Sequence, residues 1–282
     1  GIKAGMISTV NAVIGGEVLD TGFHVTTPDA HDVQRYLAKM IEADLTHVVF
    51  ETTSHGWAQY RVDACEFDVG VVTNITHEHM DEHGNYENYR AAKARLFSSL
   101  EWTKEKLHPL GAVPGNPRLG VINRDDRSFE YLNEFIKTKK LNYGMQESAD
   151  VRAVDVKYSS SGIEFTVISN DFRVGIKSSL VGSYNISNCL AALTATIYGL
   201  GIDPETAARG IASLDGIPGR MERIDLGQNF IVIVDFAHTP NALKVALDAG
   251  RALTSNPAPK GRGAGGRGKG RVISVFGSAG LR

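Results

Sequence analysis

The residues best suited to chemistry fall in two short stretches. Asn74-Ile75-Thr76-His77-Glu78-His79-Met80-Asp81-Glu82-His83-Gly84 concentrates imidazoles and carboxylates, and Glu51-Thr52-Thr53-Ser54-His55-Gly56 adds a carboxylate and hydroxyls. Such groups are the donors a hard cation takes, and with hydroxyls nearby they suit a metal and phosphate site. Each stretch follows an apolar run, Val69-Gly70-Val71-Val72-Thr73 in one case and Thr46-His47-Val48-Val49-Phe50 in the other. If those runs are strands, both polar stretches sit at carboxyl ends, where open α/β sheets place their ligands. Composition alone also allows a plainer reading, two solvated polar loops.

Two motifs imitate other chemistries. His79-Met80-Asp81-Glu82-His83 spells the H-x-x-E-H of inverted zinc peptidases, whose ligands must lie a turn apart on one helix. Here a strand-like run precedes it and Gly84-Asn85 follows, which disfavours a continuous helix. Gly263-Ala264-Gly265-Gly266-Arg267-Gly268-Lys269-Gly270 nearly matches the phosphate loop G-x-x-x-x-G-K-[ST], but Gly270 stands where a hydroxyl is required. It also precedes a strand-like run, whereas a phosphate loop follows a strand and opens a helix. Lys93, in Tyr89-Arg90-Ala91-Ala92-Lys93-Ala94-Arg95, reads from spacing alone as a solvated helix lysine.

The elements that must position these groups alternate. Thr46–Phe50, Val69–Thr73 and Leu119–Asn123 are continuous apolar runs, as strands buried on both faces of a parallel sheet read. Val33, Tyr36, Leu37, Met40 and Ile41 share one face of a helix behind Pro28-Asp29. A second helix is expected over Tyr86–Leu100, and a third from Asn185 with Ile186, Cys189, Leu190, Leu193 and Ile197 aligned. Between Val151 and Ser178 the period changes to two, with turns at Ser159–Gly162 and Asn170-Asp171, which predicts an antiparallel meander. The fold class is therefore α/β, a doubly wound, mostly parallel sheet with a small antiparallel sheet. After Gly216-Ile217-Pro218-Gly219 a second α/β domain begins: a buried-type strand Phe230–Phe236, a helix Ala242–Leu253 behind Thr239-Pro240, and a strand Arg271–Gly277. Thr254–Gly270, rich in Gly and Pro and carrying Lys260, Arg262, Arg267 and Lys269, reads as a flexible basic loop. The domains are placed at 1–216 and 217–282.

Composition excludes several classes. The 282 residues are 42% hydrophobic and 22% charged, ordinary for a globular protein and incompatible with disorder over most of the length. A formal net charge of −2 argues against nucleic-acid binding through bulk positive charge. No apolar run approaches the about 18 residues of a membrane span. Two cysteines, Cys65 and Cys189, make no disulfide framework and suit a reducing cytoplasm. The sequence opens at Gly1 without an initiator Met or a signal-peptide pattern, and it stops just after a strand-like run; it reads as a fragment.

Several blocks, in order and at fitting spacing, resemble the Mur ligases. They are Thr26-Thr27-Pro28-Asp29-Ala30, Ser54-His55-Gly56 with Gln59 and Arg61-Val62, Phe67 through Thr73-Asn74, and His79-Met80-Asp81 with His83-Gly84. Tyr89 with Ala92-Lys93, Asn185-Ile186-Ser187-Asn188, Pro218-Gly219-Arg220-Met221-Glu222 and Val234-Asp235-Phe236-Ala237-His238-Thr239-Pro240 complete the match. The nearest branch is the one that adds the third residue of the peptidoglycan stem peptide. The resemblance implies an ATP-dependent ligase that phosphorylates a carboxylate of UDP-N-acetylmuramyl-dipeptide, whereupon the amine of a free amino acid attacks the acyl phosphate. It implies ATP and Mg2+, a monomeric cytoplasmic enzyme, and residue roles to match. Glu51 and His79 fall on metal ligands, and Lys93 on a lysine that is carbamylated; a carbamate ligates a cation that an ammonium would repel. Thr26, Thr27, Thr53, Gln59 and Arg61 align with positions that hold the UDP-muramyl-dipeptide, and Arg282 with a contact to the incoming amino acid. Asn185, Arg220, Asp235 and His238 resemble nucleotide contacts, although His238 also reads as a residue that orders a helix start.

The family's phosphate loop G-T-x-G-K-T-T is not in these 282 residues, so the chain alone is expected to be inactive. Gly277-Ser278-Ala279-Gly280-Leu281-Arg282 departs from the family's Gly-Cys-Gly-Gly-Asp-Arg, and Thr53, Glu78 and Phe236 replace a usual Ser, Asp and Tyr. Two alternatives remain open: a non-catalytic remnant that still grips the muramyl substrate, and a sister ligase acting at another stem-peptide position or in folate glutamylation.

Overall fold

The structure, a computed structural model, describes residues 2–9, 11–19, 27–76, 83–104, 106, 117–159, 162–255 and 271–277. The chain divides into two compact units, Gly1–Tyr143 with Thr194–Gly201, and Gly144–Leu193 with Ile202–Arg282.

In the first unit, β1 (Ala4–Ile7), β2 (Ala12–Ile14), β3 (Glu17–Leu19) and β4 (His47–Phe50) form a sheet in the order β3-β2-β1-β4. The β1–β4 pair is parallel, with Ala4 opposite His47 and Ile7 opposite Phe50. Between them runs α1 (Ala30–Glu42), which starts at Asp29, carries Asp32 in its first turn and Lys39 in its last, and so matches the helix dipole at both ends. Val33, Tyr36 and Met40 are buried, and Tyr36 and Met40 pack with Ile7, Ala12 and Ile14. Leu37 is half-buried against the same cluster, but Ile41 is 76% exposed, which corrects that end of the apolar face expected from the sequence.

The parallel strands β5 (Val69–Val72), β6 (Leu119–Asn123) and β7 (Lys139–Gly144) lie side by side in that order. Two helices cover them, α3 (Tyr86–Trp102) and α4 (Phe129–Phe135), with the short α2 (Ser54–Ala58) against α3. Asn85 caps α3 by accepting from the Asn88 amide at 2.8 Å. Phe97, Leu100, Ile122, Leu132 and Ile75 are the centre of this core. β6 is buried along its apolar length, as a central parallel strand should be. β4 is not: Val48 and Val49 are exposed, Val49 at 67%.

In the second unit, β8 (Val151–Ser159), β9 (Gly162–Ile168) and β10 (Arg173–Ser178) form the antiparallel meander read from the period-two pattern. A bulge between Val154 and Lys157, with Asp155 at φ +56°, breaks the alternation: Val151 and Ala153 are buried, whereas Tyr158 is exposed. Gly162 turns the first hairpin at φ +136°, and a Cβ there would lie 1.9 Å from the Ser178 carbonyl oxygen. α5 (Tyr184–Leu200) belongs to this unit through Leu193 and buries Ile186, Cys189, Leu190 and Leu193. α6 (Pro204–Ala212) has Asp203 as cap and Pro204 at its first position.

The last stretch departs from expectation. Phe230–Phe236 yields only β12 (Val232–Val234), paired antiparallel with β11 (Glu222–Ile224), and Phe230, Val234 and Phe236 are exposed. Arg271–Gly277 is not a strand: among the described residues nothing pairs with it, and Val275 is 94% exposed. An apolar run becomes a strand only where a neighbour completes its ladder and a layer covers its face. The helix expected behind Thr239-Pro240 is α7 (Pro240–Ser255), with the Ala242 amide donating to Thr239 Oγ1 at 3.2 Å. It takes in Thr254 and Ser255, and the rest of the expected basic loop, 256–270, lies outside the described residues. No described helix is long and apolar enough to cross a membrane.

Candidate functional site

The carboxyl end of β4 carries the first unit's polar cluster. Glu51 continues the strand, its amide donating to the Ile7 carbonyl at 2.8 Å. Its carboxylate is held from β1's side, because the Thr9 amide and Thr9 hydroxyl both donate to Oε2 at 2.9 Å. Two residues on, Thr53 caps α2: its Oγ1 accepts from the Gly56 amide at 3.0 Å. Its own amide donates to Thr27 Oγ1 at 2.9 Å, and the two threonine hydroxyls lie 3.0 Å apart. Gly56 allows this approach, since a Cβ there would meet Thr27 Cγ2 at 2.7 Å.

Arg61 closes the cluster. Nη1 donates to the Thr27 carbonyl at 2.7 Å, Nε donates to Gln59 Oε1 at 2.8 Å, and Asp29 Oδ1 lies 3.5 Å from Nε. The guanidinium is thus held on one side by a backbone oxygen and on the other by an amide and a carboxylate, the fork geometry that lysine cannot reproduce. Thr53, Gln59 and Arg61 form one hydrogen-bonded group with Thr27, which lies 26 residues before Thr53 and 34 before Arg61. Thr26 lies outside the described residues.

Beside it runs a second chain of contacts. The buried Ser54 hydroxyl is 3.0 Å from His83 Nε2. The His83 ring lies 5.8 Å from His55 and 5.4 Å from the buried Tyr89, and Lys93 Nζ sits 5.2 Å from the Tyr89 ring centroid. Through Ser54, His83 and Tyr89 the structure links Lys93 on α3 to the loop that carries Glu51 and Thr53. His79 lies outside the described residues, as does most of the H-x-x-E-H look-alike, and so does the Gly263–Gly270 stretch. Among the described residues no three His, Cys, Asp or Glu side chains cluster as a metal site.

The second unit holds its own cluster. Asp235 accepts from the Met221 amide at 2.8 Å and the Ala237 amide at 2.9 Å. Phe236 lies between Arg220, 5.2 Å from its ring centroid, and the His238 ring at 5.1 Å, while His238 Nδ1 is 3.1 Å from the Phe236 carbonyl. Asn185 Nδ2 donates to the Val181 carbonyl at 2.7 Å and its Oδ1 accepts from Asn188 at 3.0 Å, which fixes its amide at the start of α5. Tyr184 joins the group: burial pushes its hydroxyl up to about 12, with Asp235 adding to the rise and Arg220 opposing it. Sequence reasoning passed over Tyr184, although its place next to Asn185 was the available signal. It also missed Thr9, which nothing in the sequence ties to Glu51. Arg282 lies outside the described residues.

Hydroxyls, a carboxylate and an arginine gathered at the carboxyl end of a strand that pairs in parallel occupy the place where open α/β sheets hold their ligands. Residues 2–196 match the model of the Mur ligase middle domain. A UDP-N-acetylmuramoyl-L-alanyl-D-glutamate–2,6-diaminopimelate ligase of Solibacter usitatus is 38% identical over 277 residues, covering 98% of this chain and 50% of that protein. A UDP-N-acetylmuramyl-tripeptide synthetase of Roseiflexus sp. is 35% identical over 286 residues, covering 100% and 52%. A solved UDP-N-acetylmuramoyl-L-alanyl-D-glutamate–2,6-diaminopimelate ligase superposes with a TM-score of 0.73 at 28% identity, over 90% of this chain and 49% of that one. The chain belongs to the Mur ligase family, and it spans about half the length of the curated relatives it matches.

Proposed function

We propose that the chain is the central part of an ATP-dependent ligase that adds the third amino acid to UDP-N-acetylmuramyl-dipeptide in peptidoglycan synthesis. The observation that carries this reading is the Thr27–Thr53–Gln59–Arg61 group, a preformed polar cradle on the residues that the family resemblance assigns to the muramyl substrate. A guanidinium held on its Nε and Nη1 edges keeps further N–H groups for an anionic ligand, and a cradle ordered before binding loses less entropy on binding.

In the proposed reaction a substrate carboxylate oxygen attacks the γ-phosphorus of ATP and ADP leaves. The amine nitrogen of the incoming amino acid then attacks the acyl carbon, phosphate leaves, and the amine gives up a proton. Asn185, Arg220, Asp235 and His238 are the proposed nucleotide contacts, while Thr26 and Arg282 are assigned on the resemblance alone.

Mg2+ belongs to this proposal, and the donors present fit it in chemical type. Both hydrogen bonds described for the Glu51 carboxylate fall on Oε2, so the group is oriented while Oε1 can face a cation. Lys93 fits only as its carbamate, and His79 would complete the set. When bound, the ion would neutralise the phosphate charge that builds up during transfer. Residues 1–216 are proposed as the middle domain and 217–282 as the start of a C-terminal domain, within a monomeric cytoplasmic enzyme.

The test is ADP release from the full-length gene product given UDP-muramyl-dipeptide and lysine or diaminopimelate. Turnover that requires all three substrates is expected, and none is expected from these 282 residues alone. A full-length protein that releases no ADP with either amino acid refutes the assignment.

A further inference from the structure

Neither the cradle nor the Lys93 chain uses the polar side chains around Ile75. Ile75 is fully buried in the loop after β5. Its amide donates to both carboxylate oxygens of Asp126 at 3.4 Å, and its carbonyl accepts from the Tyr86 hydroxyl at 3.3 Å and from Arg127 Nε at 3.4 Å. Two residues earlier, the Thr73 carbonyl accepts from Asn123 Nδ2 at 2.8 Å.

A buried strand end must find partners for the backbone groups that leave the ladder. Here the partners carry charge, and the signs are ordered: a carboxylate faces the N–H end of Ile75 and a guanidinium faces its C=O end. That arrangement follows the peptide dipole and opposes any rotation of the segment. These partners are themselves fixed. In Asn123-Arg124-Asp125-Asp126-Arg127, the Asp125 amide donates to Asn123 Oδ1 at 2.9 Å, and the Ser128 amide donates to Asp126 Oδ1 at 2.9 Å. The Arg124 amide is tied to the Tyr143 carbonyl of β7 at 2.7 Å. The Arg127 guanidinium lies 4.4 Å from the Tyr86 ring centroid, with Arg90 at 5.5 Å from the same ring and 3.9 Å from that of Tyr131.

Tyr86 opens α3, the helix that carries Lys93 two turns later. We propose that Asn123, Asp126, Arg127 and Tyr86 are positioning residues that lock residues 73–75, just after β5, and the start of α3 to the turn after β6, and so set where Lys93 stands relative to the strand ends. This rests on the ligase reading, because the demand for an accurately placed Lys93 comes from its role as a carbamylated metal ligand. No hydrogen bond described for the four reaches the Thr27–Arg61 cradle, so their effect should fall on metal use and spare the muramyl substrate.

The test has two arms. In the full-length protein, Tyr86→Phe and Asp126→Asn should raise the Mg2+ midpoint of ADP release by about threefold to tenfold, the effect of one or two weakened hydrogen bonds. KM for UDP-muramyl-dipeptide should stay within twofold. In the 282-residue chain without metal or nucleotide, the same variants should exchange the Ile75 amide proton at least threefold faster. Arg124→Gln is the control: in the same turn, its side chain pairs with Glu130 at 2.8 Å and lies over Phe129, so both readouts should stay at wild-type values. A wild type that releases no ADP overturns the ligase reading and this inference with it. An active wild type whose variants keep its Mg2+ midpoint, or keep its Ile75 exchange rate, overturns the inference alone.

Discussion

Gly56→Ala probes the Thr27–Arg61 cradle, the proposed muramyl site, where Gly56 approaches Thr27. A Cβ at Gly56 would lie 2.7 Å from Thr27 Cγ2, 2.9 Å from Thr27 Cβ and 2.9 Å from Thr27 Oγ1. Rotating the threonine cannot relieve the clash with its Cβ, so the backbone of one segment must move. Overpacking of this kind costs about 1–3 kcal/mol, and alanine in a helix returns up to about 1 kcal/mol of propensity. The net loss should be about 1–2 kcal/mol, lowering the melting temperature of the first unit by about 2–8 °C in scanning calorimetry. The same shift pulls Thr27 Oγ1 away from the Thr53 amide and hydroxyl. Titration of the full-length protein with UDP-muramyl-dipeptide should therefore show binding weakened by at least about tenfold, or 1.4 kcal/mol. Gly210→Ala is the matched control, since a Cβ there meets nothing within 4 Å and α6 gains from it, by about 0.5–1 kcal/mol. If Gly56→Ala melts at or above the wild type and binds as tightly, the close approach is not what builds the cradle.

Arg61→Lys keeps the charge but cannot reach the Thr27 carbonyl, Gln59 and Asp29 together, so affinity for UDP-muramyl-dipeptide should fall about tenfold to a hundredfold, by titration, with little change in melting. Burial pushes the thiols of Cys65 and Cys189 up to about 11, so at pH 8 iodoacetamide should label the folded chain far more slowly than the unfolded one, by mass spectrometry. Both thiols, and Tyr184, are harder to ionise folded than unfolded. Stability should therefore be full below about pH 9 and fall as pH rises through 11 and 12, seen as a declining urea midpoint. Thr103→Val strands the carbonyl of Phe67, to which the buried hydroxyl donates at 2.7 Å, and should cost about 1–2 kcal/mol in urea unfolding.

Periodicity revealed most of the elements, because a buried parallel strand and an amphipathic helix each impose a pattern that neighbours in sequence share. Leu119–Asn123 and the Val151–Ser178 meander were legible for that reason. Exposure was harder to read. Val48 and Val49 look like an interior strand, and Arg271–Gly277 looks like a strand at all, yet what decides both is the neighbour beside them, which local pattern does not encode. The site divides in the same way. The Thr53-to-Arg61 block was visible as a dense motif, whereas the grip of Thr9 on Glu51 and of Asn123, Asp126 and Arg127 on the loop after β5 joins residues about 40 to 50 positions apart.

The outward row of β4 governs how this polypeptide can be handled. Among the described residues β4 is an outer strand of its sheet, and its exposed Val48 and Val49 are the kind of apolar edge to which a second molecule can add its own strand. Preparations of these 282 residues should self-associate as concentration rises, and Val49→Lys, placing a charge on that rim, should keep them monodisperse by light scattering.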